Sequence, residues 1–228
     1  MTPADEAKRA VGYAAVDRFV RDGTCVGLGT GTTAHWAIER VGQRIAQGER
    51  IVAVATSSAT ETLCVKLEVP LVTLGAREID VAIDGADEVA PDWALTKGGG
   101  GAMFREKAVA LATRAFVVIV TPEKLVETLG AFPTPVEVVP FSVGVVAAAI
   151  EASYPGARIR RRGADTPYVT DNANAILDCA FGPIEDPVAL DASLRDIHGV
   201  VATGLFAPSL TDVVLIADPT GIRELSRS

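Results

Sequence analysis

The spacing of apolar and polar positions changes period repeatedly along this chain. Residues 5–20 repeat apolar positions at helical spacing, and the Asp22-Gly23 pair ends that stretch. A short β-prone run at 24–28 leads into glycines and hydroxyls at 29–33, and a helical pattern resumes over 34–47. A second strand over 51–55 meets Thr56, Ser57 and Ser58, and another helix follows to about residue 67. Short apolar runs come next at 71–74, 81–83 and 93–96, then a helix after a glycine-rich segment, then a strand at 116–120. Repeated βα alternation predicts an α/β fold, a Rossmann-like, mostly parallel sheet with helices on both faces. In such sheets the ligand crevice lies beyond the carboxyl ends of the strands, where the polar clusters fall.

From Phe132 the pattern changes, with Pro133 and Pro135 breaking the chain. The segments that follow read as strand 136–139, helix 143–152, strand 157–161, strand 168–170, strand 175–181, helix 186–195 and a strand near Val200. That sequence predicts a smaller α+β, ferredoxin-like βαββαβ domain, with Asp171-Asn172-Ala173-Asn174 as a hairpin turn inside it. The run at 213–216 resembles a further strand of the first sheet. Residues 1–132 and 204–228 are therefore expected to form a Rossmann-like catalytic domain, with 133–203 inserted as the small domain.

Composition narrows the functional classes. The chain has 228 residues, 49% hydrophobic and 22% charged, as in an ordinary globular protein. A net charge of −8 argues against a general nucleic-acid or anionic-membrane surface, although a small phosphate ester needs only a local positive site. The odd, scattered cysteines Cys25, Cys64 and Cys179 read as buried thiols in a reducing compartment. His35 and His198 have no short Cys/His spacing, so no metal site is expected, and both read as structural. No apolar run near the N-terminus resembles a signal or transit peptide, and none reaches the ~18 residues of a membrane span, so a cytoplasmic location is expected.

Three polar clusters carry candidate chemistry. Gly29-Thr30-Gly31-Thr32-Thr33-Ala34 fits G-x-G-x-x-A between a strand and a helix. A dinucleotide site also wants a carboxylate after the second strand, and Thr56-Ser57-Ser58 offers none, so a small-phosphate loop, a dinucleotide loop and a structural turn stay open. In Asp80-Val81-Ala82-Ile83-Asp84-Gly85-Ala86-Asp87-Glu88, Asp84 lies at the strand exit and Asp87 three residues on, either as turn formers or as a divalent-metal site that lacks a third obvious ligand. Asp80 and Glu88 are expected to be solvated.

The third cluster is Lys97-Gly98-Gly99-Gly100-Gly101, followed by Ala102 to Lys107. Four glycines in a row carry a large entropic cost, which close backbone approach to an anion at a helix start would justify. Arg105, Glu106 and Lys107 fan over ~200° of a helix at ~100° per residue, so they cannot share one solvent face. Glu106 projects near Ala102, Val109 and Ala110, where desolvation would raise its proton affinity and suit it to general-base work. Lys97 could meet a developing oxyanion. The arginines Arg158, Arg160, Arg161 and Arg162 read as a solvated strand edge.

Together these motifs closely resemble ribose-5-phosphate isomerase type A, as do Phe132-Pro133-Thr134-Pro135-Val136-Glu137-Val138, Val169-Thr170-Asp171-Asn172 and Gly204-Leu205-Phe206. The similarity spans almost the whole chain, with small departures at Thr32 and Ala173. It implies interconversion of ribose 5-phosphate and ribulose 5-phosphate through a cis-enediol(ate), with no metal and no cofactor. It implies Glu106 as the base, with Lys97 and the backbone of Gly98, Gly99 and Gly100 stabilising charge. Asp84, Gly85, Ala86 and Asp87 would bind the sugar, the two aspartates assisting ring opening and proton movement. Thr30, Gly31, Thr32, Thr33 and Lys124 would hold the phosphate end. A homodimer or homotetramer with no nucleic-acid or membrane partner is expected. The competing readings are a sugar-phosphate-binding sensor domain and a glutamate-dependent coenzyme A transferase of related fold.

Overall fold

The computed structural model describes residues 1–163, 166, 168–218 and 221–225. In chain order the elements are α1 (Pro3–Phe19), β1 (Cys25–Leu28), α2 (Ala34–Ala46), β2 (Val52–Ala55), α3 (Ser58–Lys66), β3 (Val81–Asp84), β4 (Glu88–Val89) and β5 (Leu95–Thr96). They continue with α4 (Met103–Ala112), β6 (Phe116–Val120), β7 (Thr134–Val138), α5 (Val143–Ser153), β8 (Arg158–Arg161), β9 (Ala175–Ala180), α6 (Pro187–Arg195), β10 (Val200–Thr203), β11 (Leu205–Phe206), β12 (Val213–Asp218) and β13 (Gly221–Leu225). The chain divides into two compact units. One comprises Met1–Ala86, Arg105–Lys124 and Ser209–Ser228, the other Asp87–Phe104 and Leu125–Pro208.

The first unit is built on a six-stranded sheet in the order β13-β12-β6-β3-β1-β2. All its pairings are parallel except that of β13 with β12. Helices on both faces require strands that are apolar throughout, and β1, β3 and β6 are buried at every residue. Val26, Leu28, Ile83, Val117, Ile119 and Leu215 form a core with Val11 and Val16 of α1 and Ala37 and Val41 of α2. Thr2 caps α1, accepting from the Asp5 N–H while the Asp5 carboxylate accepts from the Thr2 N–H, and Pro3 begins the first turn. The α4 helix reaches the sheet through a gap left by Gly27. A Cβ there would lie 2.5 Å from Val109 Cγ1 and 2.9 Å from Ala82 Cβ.

The second unit carries an antiparallel four-stranded sheet in the order β10-β7-β9-β8. With α5 and α6 this is the βαββαβ ferredoxin-like arrangement. One face buries Val136, Val138, Leu177 and Cys179 against Val146 and Ile150 of α5 and Leu194 of α6. Residues of β7 and β9 that point the other way include the buried Glu137 and Asp178. Glu137 Oε1 accepts from the Thr170 hydroxyl (2.8 Å) and from the amides of Asn172 (3.1 Å) and Asn174 (2.9 Å), which fastens the 170–174 turn to the sheet. A three-stranded antiparallel sheet, β11-β5-β4, completes this unit.

Some strand expectations change. The 71–74 run makes only a single bridge, Leu71 to Ala53 beside β2. The 93–96 run yields β5, which pairs antiparallel with β4 and β11 and takes no part in the parallel sheet. Residues 168–170 join no strand, since the Thr170 N–H bonds to the Asn174 carbonyl and closes the turn instead.

Candidate active site

The Thr30 loop grows out of β1. The Thr30 N–H donates to Asp84 Oδ1 (3.1 Å), and its Oγ1 donates to Ser57 Oγ (2.8 Å) and lies 2.8 Å from Thr56 Oγ1. Thr60 completes this hydroxyl network by donating to the Gly29 carbonyl at 2.8 Å. Thr30 therefore turns its side chain inward, while Gly31 (φ +112°) and Thr32 are exposed. Thr33 stands at the N-cap of α2 with no side-chain capping bond, and the His35 and Trp36 N–H groups bond to the Gly31 and Thr33 carbonyls. Beside the loop is a cavity of about 630 Å3 lined by Thr30, Gly31, Thr32, Trp36, Thr60 and Leu63, among others.

Lys8 and Lys124 are among the lysines of this unit. Lys8 Nζ donates to Thr32 Oγ1 at 3.0 Å. Lys124 ends the short 3-10 turn Pro122–Lys124 that follows β6, its N–H bonded to the Thr121 carbonyl. The Thr121 hydroxyl holds the Glu123 carboxyl below the usual range; partial burial opposes that, and Lys124 and Lys8 reinforce it. Lys8 was not legible in sequence because it sits among Asp5, Glu6 and Arg9 on an ordinary charged helix start.

Asp84 closes β3 and is 2% exposed. Its Oδ1 accepts from the Thr30 N–H and from the Gly85 N–H at 2.7 Å, so the aspartate links two loops at the carboxyl end of the sheet. Gly29 makes room for it: a Cβ at Gly29 would lie 2.0 Å from Asp84 Oδ1. A Cβ at Gly85 would reach 4.0 Å from Thr33 Cβ, and Ala86 follows in the same loop. Glu106 lies in the first turn of α4 and is 4% exposed, one turn before the Val109 contact that seats the helix. Its burial agrees with the expectation from the fan of Arg105, Glu106 and Lys107.

In the second unit Asp87, Lys97 and the glycine run are assembled. Asp87 Oδ2 accepts from the Gly99 N–H at 2.7 Å, and the Asp87 N–H bonds to the Thr96 carbonyl. Lys97 is 2% exposed, its N–H bonded to the Gly204 carbonyl and its Nζ 5.6 Å from the Phe206 ring centroid. Gly98 (φ +95°) and Gly101 (φ +83°) take left-handed backbone that disfavours side chains. Gly99 and Gly100 are exposed.

Two expectations are corrected here. Glu88 is 3% exposed, accepting from the Thr96 hydroxyl and from the Gly130 and Phe132 N–H groups, so it is an internal brace. Arg158, Arg160 and Arg161 do lie on an exposed edge, but Arg162 turns inward and its side chain is 15% exposed. Among the described residues no group of three or more His, Cys, Asp or Glu is placed to hold a metal ion.

Comparison with known proteins places these features in a family. A family model described as ribose 5-phosphate isomerase A (phosphoriboisomerase A) matches residues 52–221. Ribose-5-phosphate isomerase A of Methanothermobacter thermautotrophicus is 43% identical over 220 residues, covering 96% of each chain. That of Sphingopyxis alaskensis is 46% identical over 205 residues, covering 89% of this chain and 88% of its own. The solved ribose 5-phosphate isomerase A of Methanocaldococcus jannaschii superposes with a TM-score of 0.92 at 38% identity, covering 98% of this chain and 99% of that one. A D-ribose-5-phosphate isomerase solved in complex with phospho-erythronic acid gives 0.93 at 34% identity, covering 99% and 100%. With the family model spanning most of the chain and relatives above 40% identity over 88% or more of each chain, this chain belongs to the ribose-5-phosphate isomerase A family.

Proposed function

We propose that the protein interconverts D-ribose 5-phosphate and D-ribulose 5-phosphate. The observation that carries the reading is Glu106: a carboxylate 4% exposed, on a helix that the Lys97 glycine run leads into and that Val109 seats on the sheet. In the forward direction Glu106 removes the proton from C2 of the open-chain aldose. The C–H electron pair becomes the C1=C2 bond, and the carbonyl pair moves onto O1. A proton passes from O2 to O1, Glu106 returns its proton to C1, and the electrons on O2 form the ketose carbonyl. Atoms and electrons balance with no oxidant, cofactor or metal.

Lys97 and the backbone of Gly98, Gly99 and Gly100 stabilise the enediolate, a preorganised electrostatic contribution of about 3 kcal/mol per well-placed donor. Asp84 and Asp87, with Gly85 and Ala86, bind the sugar and assist ring opening and the O2-to-O1 transfer. Thr30, Gly31, Thr32, Thr33 and Lys124 hold the phosphate, and Lys8 joins them through Thr32.

The test incubates purified protein with ribose 5-phosphate in EDTA and follows ketose formation, with deuterium uptake at C1 in D2O. A folded sample that forms no ketose, or that loses activity on chelation, overturns the reading. Sugar-phosphate binding without turnover would point to a sensor, and acyl transfer to a coenzyme A transferase. Free, buried Cys25, Cys64 and Cys179 support work in a reducing compartment, the cytoplasm, and no helix among the described residues is long and apolar enough to cross a membrane. The fully exposed Phe141 with exposed Val139 and Val145 supports a homodimer or homotetramer, which sedimentation would detect.

A further inference from the structure

The glycine run is held from behind. Arg162 Nη1 donates to the carbonyls of Gly98 (2.9 Å) and Gly99 (3.2 Å), and the Tyr168 hydroxyl donates to the Gly100 carbonyl (3.0 Å). Arg162 is itself gripped by Asp178 of β9, Nε to Oδ2 at 3.1 Å and Nη2 to Oδ1 at 2.5 Å. Asp178 is 8% exposed, and its guanidinium partner lies 5.7 Å from the Tyr168 ring centroid. A Cβ at Gly101 would fall 1.9 Å from the Tyr168 hydroxyl, so the run and the tyrosine are closely fitted.

A peptide unit is planar and trans, so its C=O and N–H point in opposite directions. Fixing the carbonyls of Gly98, Gly99 and Gly100 therefore fixes the N–H groups of Gly99, Gly100 and Gly101. The Gly99 N–H meets Asp87, and the Gly101 N–H turns back to the Gly98 carbonyl. The Gly100 N–H is left aimed away from Arg162, on the exposed side of the run. Without a clamp, four consecutive glycines would sample many orientations of that group. A buried ion pair is a costly way to hold a loop unless its hydrogen bonds are filled, and here Asp178 and the glycyl carbonyls engage all three guanidinium nitrogens.

We infer that Arg162, anchored by Asp178 and assisted by Tyr168, is a positioning residue for the isomerisation: it sets the aim of the Gly100 N–H, the backbone donor offered to the enediolate. This rests on the isomerase reading above. None of the three side chains is assigned contact with substrate, so the effect falls on kcat more than on KM.

The experiment compares steady-state kinetics of wild type, Arg162→Ala, Arg162→Lys, Tyr168→Phe and Arg160→Ala with ribose 5-phosphate. We expect Arg162→Ala to lower kcat about 30-fold with KM within about threefold, and added guanidinium ion to restore kcat about fivefold or more. Arg162→Lys keeps the charge but not the fork, so it stays well below wild type. Tyr168→Phe should lose about three- to tenfold in kcat. Arg160→Ala, whose 77% exposed side chain meets Asp178 only as a solvent-facing ion pair at 3.9 Å, should remain within about twofold of wild type. A folded Arg162→Ala with kcat within twofold of wild type overturns the inference, as does a loss that guanidinium leaves untouched. If Arg162→Ala does not fold, Tyr168→Phe decides: lowered kcat supports the clamp and unchanged kcat overturns it. An inactive wild type defeats the isomerase reading itself, which is a separate result.

Discussion

At Gly29, just past β1, a single methyl group would reach 2.0 Å from Asp84 Oδ1 and 2.6 Å from Asp84 Cβ, so the buried aspartate would have to shift. Gly29→Ala should therefore displace a buried carboxylate, costing about 1–3 kcal/mol of stability through overpacking and lowering kcat/KM at least about tenfold. Urea melts and steady-state rates on the same samples check this, and a fully active Gly29→Ala would remove Asp84 from the proposed chemistry. Glu106→Gln keeps the shape and removes the base, so kcat should fall about 10²–10⁴-fold while a non-reacting sugar-phosphate analogue still binds by calorimetry. Loss of binding with loss of fold would instead mark Glu106 as structural. At this scale the sequence exposed residues with local signals: glycine runs, Asp-Gly pairs and the helical fan around Glu106. It hid Glu88, whose partners Gly130 and Phe132 lie more than forty positions away, and Lys8 and Arg162, which look like ordinary surface cations until the fold brings them to Thr32 and Asp178.

The element that carries Glu106 packs closely on the sheet at Val109. Val109 occupies the gap over Gly27 in β1, so Gly27→Ala should push α4 outward and lower both stability and kcat. Val109→Ala opens a cavity of its own, yet the double variant relieves the closer clash, leaving that with Ala82 Cβ. We expect the double variant to be more stable than the sum of the single effects by at least about 1 kcal/mol, and strict additivity would show that the two groups do not press on each other. The parallel strands were legible because burial on both faces makes them continuous apolar runs with a helix between each pair. β4 and β11 were not, since two-residue strands have no period, and β5, legible as the 93–96 run, takes its partners from β4 and from β11 in a distant part of the chain. The 71–74 run failed for a related reason: its hydrophobic residues supply only one bridging pair beside β2.

Each unit has a buried cluster that holds a thiol, Cys64 in the first and Cys179 in the second. Burial pushes the Cys64 thiol up to about 11 and the Cys179 thiol up to about 12, so neither forms thiolate near neutral pH while folded. A disulfide reagent at pH 8 should therefore label neither until the surrounding unit opens. Glu137→Ala provides the discriminating perturbation. It strips the acceptor from the Thr170, Asn172 and Asn174 donors and should cost about 2 kcal/mol or more, because buried donors without partners keep their desolvation penalty. Native-state labelling of Cys179 should then accelerate about thirtyfold, the Boltzmann equivalent of that loss, while Cys64 stays slow. Equal acceleration of both thiols would mean that the cores melt as one cooperative body, and unchanged Cys179 labelling would show that the Glu137 network contributes nothing to holding the small sheet closed.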